Sequence, residues 1–209
     1  MPKPGKNPKE VISYRPISLL PIIAKLLENL ILRRIDPDFT TSDWIPDHQF
    51  GFRPAHSTTQ QCHSITHTIL KPIINNKEYC TSVSLDVSQA FDRVWHSELL
   101  YKTKKHLPTF IPLLKSDLSN RQFRTRVKGE VSALSPINSE VPQGRVLGPM
   151  LYLLFTSDLL QAPNFTIGTF ADDTVIRTCY NDVLRASSCL QEYLIILQRR
   201  LHTWKIKIN

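Results

Sequence analysis

The pattern of apolar residues predicts helices in three parts of the chain. Between residues 19 and 35, Lys25 and Glu28 interrupt an apolar region whose apolar residues recur at helical spacing. This pattern predicts a core-packing helix. Residues 149–156 are a nearly continuous apolar run with Pro149 in the first turn, which predicts a buried helix. Residues 183–204 predict an amphipathic helix. Its apolar face comprises Leu190, Leu194, Leu197 and Leu201.

Two other parts of the chain predict strands. Residues 81–86 alternate in the two-residue period of a half-buried strand that ends at Asp86. Residues 87–95 then favour a turn into a helix with Ser88 as its N-cap. Residues 166–169 and 174–176 predict the two strands of a tight hairpin, whose tip is Phe170-Ala171-Asp172-Asp173.

The hairpin tip would present Asp172 and Asp173 to one cleft, and Asp86 would join them if its strand lies beside the hairpin. Like charges ~4 Å apart repel by about 1 kcal/mol in water and about 4 kcal/mol at an effective dielectric of 20. The arrangement therefore needs exposure, a shared proton or a cation, and Mg²⁺ suits hard oxygen ligands. Two such ions about 3.5–4 Å apart suit in-line displacement at phosphorus. Ordinary turn chemistry is the alternative, because Asp tolerates left-handed backbone.

The net charge of +8 fits a polyanionic partner without identifying it. Residues 120–129 predict a strand with Arg124, Arg126 and Lys128 on one side, following Arg121. Such a basic stripe suits the backbone of a nucleic acid, since phosphate contacts give affinity that does not depend on sequence. The alternative is a solvated edge strand that its charges protect from aggregation.

Cysteine usage and hydropathy favour an intracellular protein. The four cysteines contain no Cys-x-x-Cys pair, so they suit reduced thiols better than disulfides or zinc. The chain shows no signal peptide and no run of about 18 apolar residues, so we expect no membrane partner. Nothing separates nucleus from cytoplasm or indicates a protein partner.

Seven short motifs occur in an order that makes the chain resemble the reverse transcriptases of non-LTR (LINE-type) retrotransposons, and the jockey-like elements of animals in particular. Each motif is weak alone, and the ordered set is specific. The motifs are residues 14–21, 49–53 with 56–58, 85–92, 118–121, 141–144, 146–149 and 170–173.

The resemblance implies an α+β fold, the fingers and palm of a right-hand polymerase with an antiparallel palm sheet. The fingers would comprise about residues 1–79 and 105–140, and the palm about 80–104 and 141–209. Both ends of the chain look cut, and the thumb is expected to be missing.

The resemblance also implies roles for the acids. Asp86 and Asp172 match the principal ligands of two Mg²⁺ ions, for which Mn²⁺ is a possible substitute. Asp173 matches the second acid of the hairpin, usually a more peripheral member of the site.

Four other residues match positions that contact the incoming nucleotide in this family. Phe91 matches the aromatic residue that crowds the sugar 2′ carbon and disfavours ribonucleotides. Gln143 and Gly144 match a loop against the nucleotide, and Arg53 matches a cation that faces the triphosphate. Without the resemblance, Phe91 would be read as a core aromatic and Arg53 as a solvated loop charge.

The implied function is that of an RNA-directed DNA polymerase, with an RNA template, a DNA primer and dNTPs as partners and substrates. The runner-up is a catalytically inactive, truncated retrotransposon remnant that at most binds nucleic acid. It is favoured by an altered segment at 102–114 and by Arg145, where the family usually has a small Ser. Arg145 would either block the nucleotide site or add a phosphate contact. A two-metal nuclease is a third reading, which Phe91 and the 142–144 loop disfavour.

Overall fold

The computed structural model describes residues 5, 7, 9–10, 13–14, 18, 20–40, 44–127, 129–160, 162 and 164–209, apart from the side chains of 36–40 and 127. Residues 1–42 and 91–152 form one compact unit (unit 1), and residues 43–90 and 153–209 form a second (unit 2). Short 3₁₀ turns occur at Phe91–Arg93 and Pro108–Phe110. The helices and strands are α1 (Ile22–Thr40), α2 (Thr58–Asn76), β1 (Tyr79–Leu85), α3 (His96–His106), α4 (Ile111–Leu118), β2 (Gln122–Phe123), β3 (Arg126–Val127), β4 (Glu130–Val131), β5 (Ser135–Pro136), α5 (Gly148–Thr156), β6 (Thr166–Phe170), β7 (Asp173–Tyr180) and α6 (Val183–Thr203).

Unit 2 contains a three-stranded antiparallel sheet in the order β1-β7-β6. Leu85 at the end of β1 pairs with Thr174 near the start of β7. Phe170 at the end of β6 pairs with Asp173, so β6 and β7 form a hairpin with a two-residue turn. The predicted strand before Asp86 and the predicted tight hairpin are therefore both confirmed.

Helices α2 and α6 cover opposite faces of this sheet. The guanidinium of Arg177 on β7 donates to the carbonyl of Ile65 on α2 at 2.6 Å. Tyr180, also on β7, lies under the guanidinium of Arg185 on α6, with 5.1 Å from Cζ to the ring centre. Side chains alternate along a strand, so these two residues point to opposite faces.

Helix α6 confirms the amphipathic helix predicted for residues 183–204. Asp182 caps its first turn, because the carboxylate accepts hydrogen bonds from the backbone N–H groups of Leu184 and Arg185. Leu190, Leu197 and Leu201 are buried, and the helix contacts β1 and β7. Apolar spacing thus identified the packed face correctly.

In unit 1, helix α1 forms where it was predicted, but its apolar side does not pack as expected. Ile22 is 86% exposed and Leu30 is 56% exposed, and Ile23, Leu26 and Leu27 of this side are also more than half exposed. Glu28 and Ile35 are the buried residues among the described side chains of α1. The acid turns inward because Arg145 and the backbone N–H of Val146 bind it. The prediction of a core-packing apolar face is therefore wrong.

Helix α5 confirms the buried helix predicted from residue 149. Its residues 150–155 are all buried, and Leu154 is fully inaccessible. A continuous apolar run fits this environment, because a helix that is apolar all round has to be enclosed on every side.

The segment after Asp86 does not start a helix at Ser88. The backbone N–H of Ser88 instead donates to the carbonyl of Lys207 at 2.8 Å, beside an isolated bridge between Val87 and Ile208. Helix α3 starts only at His96, and the residue before it makes no capping bond through its side chain. Residues 87 and 88 thus pair with residues 207 and 208, and the predicted helix start at Ser88 is wrong.

The basic strand predicted for residues 120–129 is divided. Its first part, β2, pairs with β5, whereas β3 pairs with β4. Arg124 lies between the two pieces, and Lys128 lies outside the described residues. The basic side chains do not line one continuous strand, because the chain changes its pairing partner at residues 124–125.

Helices and an antiparallel sheet thus make a mixed α+β fold, as predicted, and the assignment of fingers and palm stays a prediction. Over the described residues, none of the helices combines the length and the apolar character that crossing a bilayer requires.

Candidate active site

The three predicted acids lie at one end of the unit 2 sheet. Asp86 directly follows Leu85, and Asp173 directly precedes Thr174, the partner of Leu85, so both acids leave the β1–β7 ladder at the same end. Asp172 occupies the turn of the β6–β7 hairpin beside them. Asp86 and Asp173 are exposed, and Asp172 is half-buried. The fold therefore places the three predicted acids at the same end of the sheet, on two neighbouring elements.

The position of Asp86 is fixed by the segment that follows α6. The side-chain amide of Asn209 donates to Oδ2 of Asp86 at 2.6 Å, and the backbone N–H of Asn209 donates to the Asp86 carbonyl at 2.9 Å. Sequence reasoning missed Asn209. The alternation of lysine and isoleucine over residues 205–208 was the available signal, since it favours an extended segment.

The hairpin turn contains a strained residue. Ala171 has φ of +57°, a left-handed conformation that costs an L-residue other than glycine about 1–2 kcal/mol. Such residues persist where the surrounding structure holds them, and they cluster at functional sites. Ala171 directly precedes Asp172 and Asp173, so whatever holds its backbone also positions these acids.

The donor chemistry of the acids suits magnesium. Among the residues that the structure describes, no group of three or more His, Cys, Asp and Glu side chains is placed to hold a metal ion. Mg²⁺ does not need such a cage, because it is commonly bound by one or two carboxylates together with waters and substrate phosphates. The carboxylates of Asp86 and Asp172 supply hard oxygens of this kind, so the residues present fit the ion.

Phe91 lies in unit 1 and packs against a buried aromatic residue. Its ring stacks on that of Tyr152, with centres 4.8 Å apart and planes inclined by 25°. Tyr152 is only 2% exposed, whereas Phe91 is half-buried. The carbonyl of Phe91 also accepts a hydrogen bond from the N–H of Val141 at 2.8 Å. The ring is thus held from one side by the core of its unit.

The loop with Gln143 and Gly144 is tied to the segment after Phe91. The side-chain amide of Gln143 donates to Oδ1 of Asp92 at 3.1 Å. The backbone carbonyl of Gln143 accepts the backbone N–H of Ser18 at 3.2 Å. Gly144 has φ of +88°, which glycine adopts without steric cost. Asp92 was not among the predicted site residues, and nothing local distinguishes it from a solvated helix-start acid.

Arg145 is bound by two acids of unit 1. Its terminal nitrogens donate to both carboxylate oxygens of Asp117 at 2.8 and 2.7 Å, and it also pairs with Glu28. Burial alone would lower the pKa of Arg145, but the hydrogen bonds that it donates to Asp117 and Glu28 raise this pKa above the ordinary value. Sequence reasoning considered a block of the nucleotide site or a phosphate contact, and it missed both acidic partners.

The other predicted cations occupy different environments. Arg53 donates to the carbonyls of Pro46 and Gln49 in its own loop, at 3.4 and 3.2 Å. Arg121 pairs with Glu140 at 3.5 Å, and burial lowers its pKa while Glu140 partly opposes that shift.

Arg124 and Arg126 are exposed. The structure therefore does not bring the basic residues together as one stripe.

The fold agrees with comparisons to known proteins. The family described as reverse transcriptase (RNA-dependent DNA polymerase) matches residues 1–209, so the chain belongs to the reverse transcriptase family. It is 44% identical over 216 residues to the RNA-directed DNA polymerase from mobile element jockey of Drosophila melanogaster. It is 43% identical over 217 residues to the probable RNA-directed DNA polymerase from transposon BS of the same species. Each alignment covers 99% of this chain and 24% of the relative, so the chain spans about a quarter of these relatives' length.

Among solved structures, the fold is similar to telomerase from Candida albicans, determined in complex with a TWJ fragment of telomeric RNA. The TM-score is 0.62 at 12% identity, over 90% of this chain and 34% of the telomerase chain. Apo telomerase from Candida tropicalis gives a TM-score of 0.59 at 12% identity, over 88% of this chain and 34% of that one. At this level of identity the similarity concerns the fold alone.

Proposed function

We propose that the chain is part of an RNA-directed DNA polymerase, which extends the 3′-OH of a DNA primer with dNTPs on an RNA template. The observation that carries this proposal is the register of the unit 2 sheet. It brings Asp86, Asp172 and Asp173 to one end of two adjacent elements, in a chain of the reverse transcriptase family.

In the proposed reaction, the primer O3′ forms a bond to the α-phosphorus of the dNTP. The bond between that phosphorus and the oxygen bridging to the β-phosphate breaks, and pyrophosphate leaves with the electron pair. The proton of the 3′-OH passes to solvent. Asp86 and Asp172 would hold two Mg²⁺ ions, with Asp173 more peripheral, and Mn²⁺ could replace them. When bound, such ions stabilise charge on the attacking and leaving oxygens.

The chain's own contribution is to hold the carboxylates in place. Asp86 is fixed through Asn209, which binds both its side chain and its carbonyl. Asp172 and Asp173 are fixed by the short hairpin, whose strands are paired up to Phe170 and Asp173. Preorganised ligands of this kind avoid the cost of ordering the site during the reaction.

Selection of the nucleotide is assigned to residues of unit 1 on the basis of their motifs. Phe91 would exclude a 2′-OH, and Gln143 and Gly144 would lie against the incoming nucleotide. The stack on Tyr152 and the bond to Asp92 support these roles, because each restricts the motion of a proposed contact residue. In unit 2, Arg53 would face the triphosphate.

The proposed contacts with the template and primer are electrostatic. Arg124 and Arg126 are exposed cations, and Lys128 and Arg121 complete the basic group predicted from the sequence. Arg121 would have to leave Glu140 before it could bind phosphate, so we assign it the smallest contribution of the described three.

The experiment compares the 209-residue chain with its Asp172→Asn variant, using primer extension on an RNA template with Mg²⁺ and dNTPs. We expect extension by the wild type and none by the variant, because an amide is a poorer ligand for a hard cation than a carboxylate. Binding of the template-primer, followed by fluorescence anisotropy, should be similar for the two proteins. Equal extension by both would overturn the assignment of Asp172.

The same assay decides between the polymerase and the inactive remnant. Salt-sensitive binding without incorporation by the wild type would support the remnant. The structure weakens one reason for that alternative, since the guanidinium of Arg145 is bound by Glu28 and Asp117. Metal-dependent cleavage without any need for dNTPs would instead indicate a nuclease.

A further inference from the structure

The side chain of Gln49 binds both polar backbone groups of Ala171 at the hairpin turn. Its Oε1 accepts the N–H of Ala171 at 3.0 Å, and its Nε2 donates to the Ala171 carbonyl at 3.2 Å. Oε1 also accepts the N–H of Gly51 at 2.8 Å. Gln49 is 6% exposed, so these bonds are made away from bulk water.

The backbone around Gln49 brings its side chain to this place. The carbonyl of His48 accepts the N–H of Thr169 at 2.8 Å, and the N–H of Phe50 donates to the Thr169 carbonyl at 2.9 Å. These two bonds form a parallel bridge between Gln49 and Thr169 on β6, an edge strand of the sheet. Residues 48–50 therefore cover that edge directly beside the hairpin turn.

Gly51 allows the close approach. A Cβ atom at this position would lie 2.1 Å from the nitrogen and 2.8 Å from the Cα of Ala171, distances that no side chain tolerates. The atoms it would meet belong to the backbone, so they cannot move away as a flexible side chain could. The segment 49–51 is thus shaped to contact the turn that carries the acids.

We propose that Gln49 is a positioning residue, which holds the left-handed backbone of Ala171 and thereby the directions of Asp172 and Asp173. The contact itself is independent of the chain's activity, whereas its catalytic consequence rests on the proposed polymerase function. Within motif 49–53, Gln49 and Gly51 thus contact the hairpin turn. Arg53 binds the carbonyl of Gln49 and so stabilises the loop of the motif itself.

The chemistry requires an amide at this position. Glutamine carries a donor and an acceptor in one plane, which match the carbonyl and the N–H of one residue. A carboxylate could still accept the two N–H groups, but it would oppose the Ala171 carbonyl without a proton to donate. Gln49→Glu therefore keeps the size of the side chain and removes one specific bond, and Gln49→Met removes all three.

The test uses both variants with a matched control, Gln61→Met. Gln61 is also buried, at 5% exposure, and lies beside Gly168 of the same edge strand, three residues before Ala171. Three quantities are measured for each protein: hydrogen exchange of the Ala171 amide by NMR, binding of the template-primer, and kcat and KM for dNTP incorporation.

For Gln49→Met we expect exchange at Ala171 to accelerate by more than about tenfold and kcat to fall by about 10–100-fold, as for residues that orient metal ligands. For Gln49→Glu, repulsion between the carboxylate and the Ala171 carbonyl should open the turn more often, so Ala171 should also exchange faster and kcat should also fall. Template-primer binding should stay unchanged in both variants. Gln61→Met should leave both Ala171 exchange and kcat near their wild-type values.

Unchanged exchange at Ala171 in Gln49→Met and Gln49→Glu would overturn the proposal. So would an equal fall in kcat for Gln61→Met, since that would indicate a general loss of stability. If Gln49→Met does not fold, Gln49→Glu still decides the matter. If the wild type incorporates no dNTP, the polymerase function fails, and the exchange data alone judge the contact between Gln49 and Ala171.

Discussion

Arg145 and Asp117 form a two-point ion pair, with both terminal guanidinium nitrogens on the two carboxylate oxygens at 2.8 and 2.7 Å. Glu28 of α1 binds the same guanidinium and also accepts the N–H of Val146 at 2.8 Å. One arginine thus joins α1, α4 and the 142–147 loop within unit 1. Planar, bidentate geometry of this kind is specific to arginine, so lysine would not replace it.

Loss of this arginine should destabilise the protein strongly. Arg145→Met leaves Glu28, which is 3% exposed, as a buried charge without its cation. Breaking a buried pair in this way typically costs about 3–5 kcal/mol. Since Asp117 is partly exposed, we expect a value near the lower end, measured as the free energy of unfolding in urea.

The double variant Arg145→Met with Glu28→Gln is the matched control. It removes both charges and keeps an oxygen that can accept the N–H of Val146. Most of the lost stability should return, because the cost arises from the unpaired acid. A double variant as unstable as Arg145→Met would show that packing of the arginine, and not charge compensation, is the main contribution.

Phe91→Val should raise incorporation of ribonucleotides relative to deoxyribonucleotides. A smaller side chain opens space for a 2′-OH, and steric selection of one small group is worth about 1–3 kcal/mol, or roughly 10–200-fold. The measurement is the ratio of kcat/KM for matched ribo- and deoxyribonucleotides. Phe91→Tyr, which keeps the ring, should retain the wild-type selectivity.

If Phe91 is only a core residue, its truncation should instead cost about 3–5 kcal/mol of stability. The stack on Tyr152 makes some loss of stability certain in either case, so the selectivity ratio is the deciding quantity. An unchanged ratio in a folded and active variant would exclude the selective role.

Acid should destabilise the protein through His96. Burial lowers the pKa of His96 below its ordinary value of 6.5, although its bond to the Glu140 carbonyl opposes this shift. As the pH falls through 6.5, the unfolded chain binds a proton that the folded chain does not, so stability decreases until the pH reaches the lower folded-state pKa.

His96→Gln keeps a donor for the Glu140 carbonyl and removes this proton uptake. The unfolding free energy of the variant should therefore fall less than that of the wild type between about pH 7.5 and 5.5. Burial also lowers the pKa of His48, but that residue is present in both proteins and cancels in the comparison. Parallel pH profiles for the two proteins would contradict the prediction.

The hairpin with Asp172 and Asp173 was predictable because its signals are local. Alternating residues on both sides of a two-residue turn define the strands and their register together. The strand before Asp86 was likewise visible in its own alternation. Their meeting at one end of the sheet depended on pairing between distant segments, which the family resemblance anticipated and spacing alone did not.

The errors arose where tertiary contacts decide the outcome. Apolar spacing in α1 identified a helix, but periodicity does not tell whether an apolar face meets a partner, and Ile22 remains exposed. The partners of Glu28 and Gln49 lie more than 100 residues away along the chain. No local pattern links such residues, so neither the buried ion pairs of Arg145 nor the contact of Gln49 with Ala171 could be read from sequence.

The order of strands also determines when the protein can fold during its synthesis. Strand β1 leaves the ribosome early, but its partner β7 follows only after most of unit 1 has been made. At a translation rate of about 5–20 residues per second, β1 remains without its partner strand for several seconds. During that interval the two edges of β1 are open to pairing with other chains. Slower translation between residues 86 and 173 should therefore lower the soluble yield.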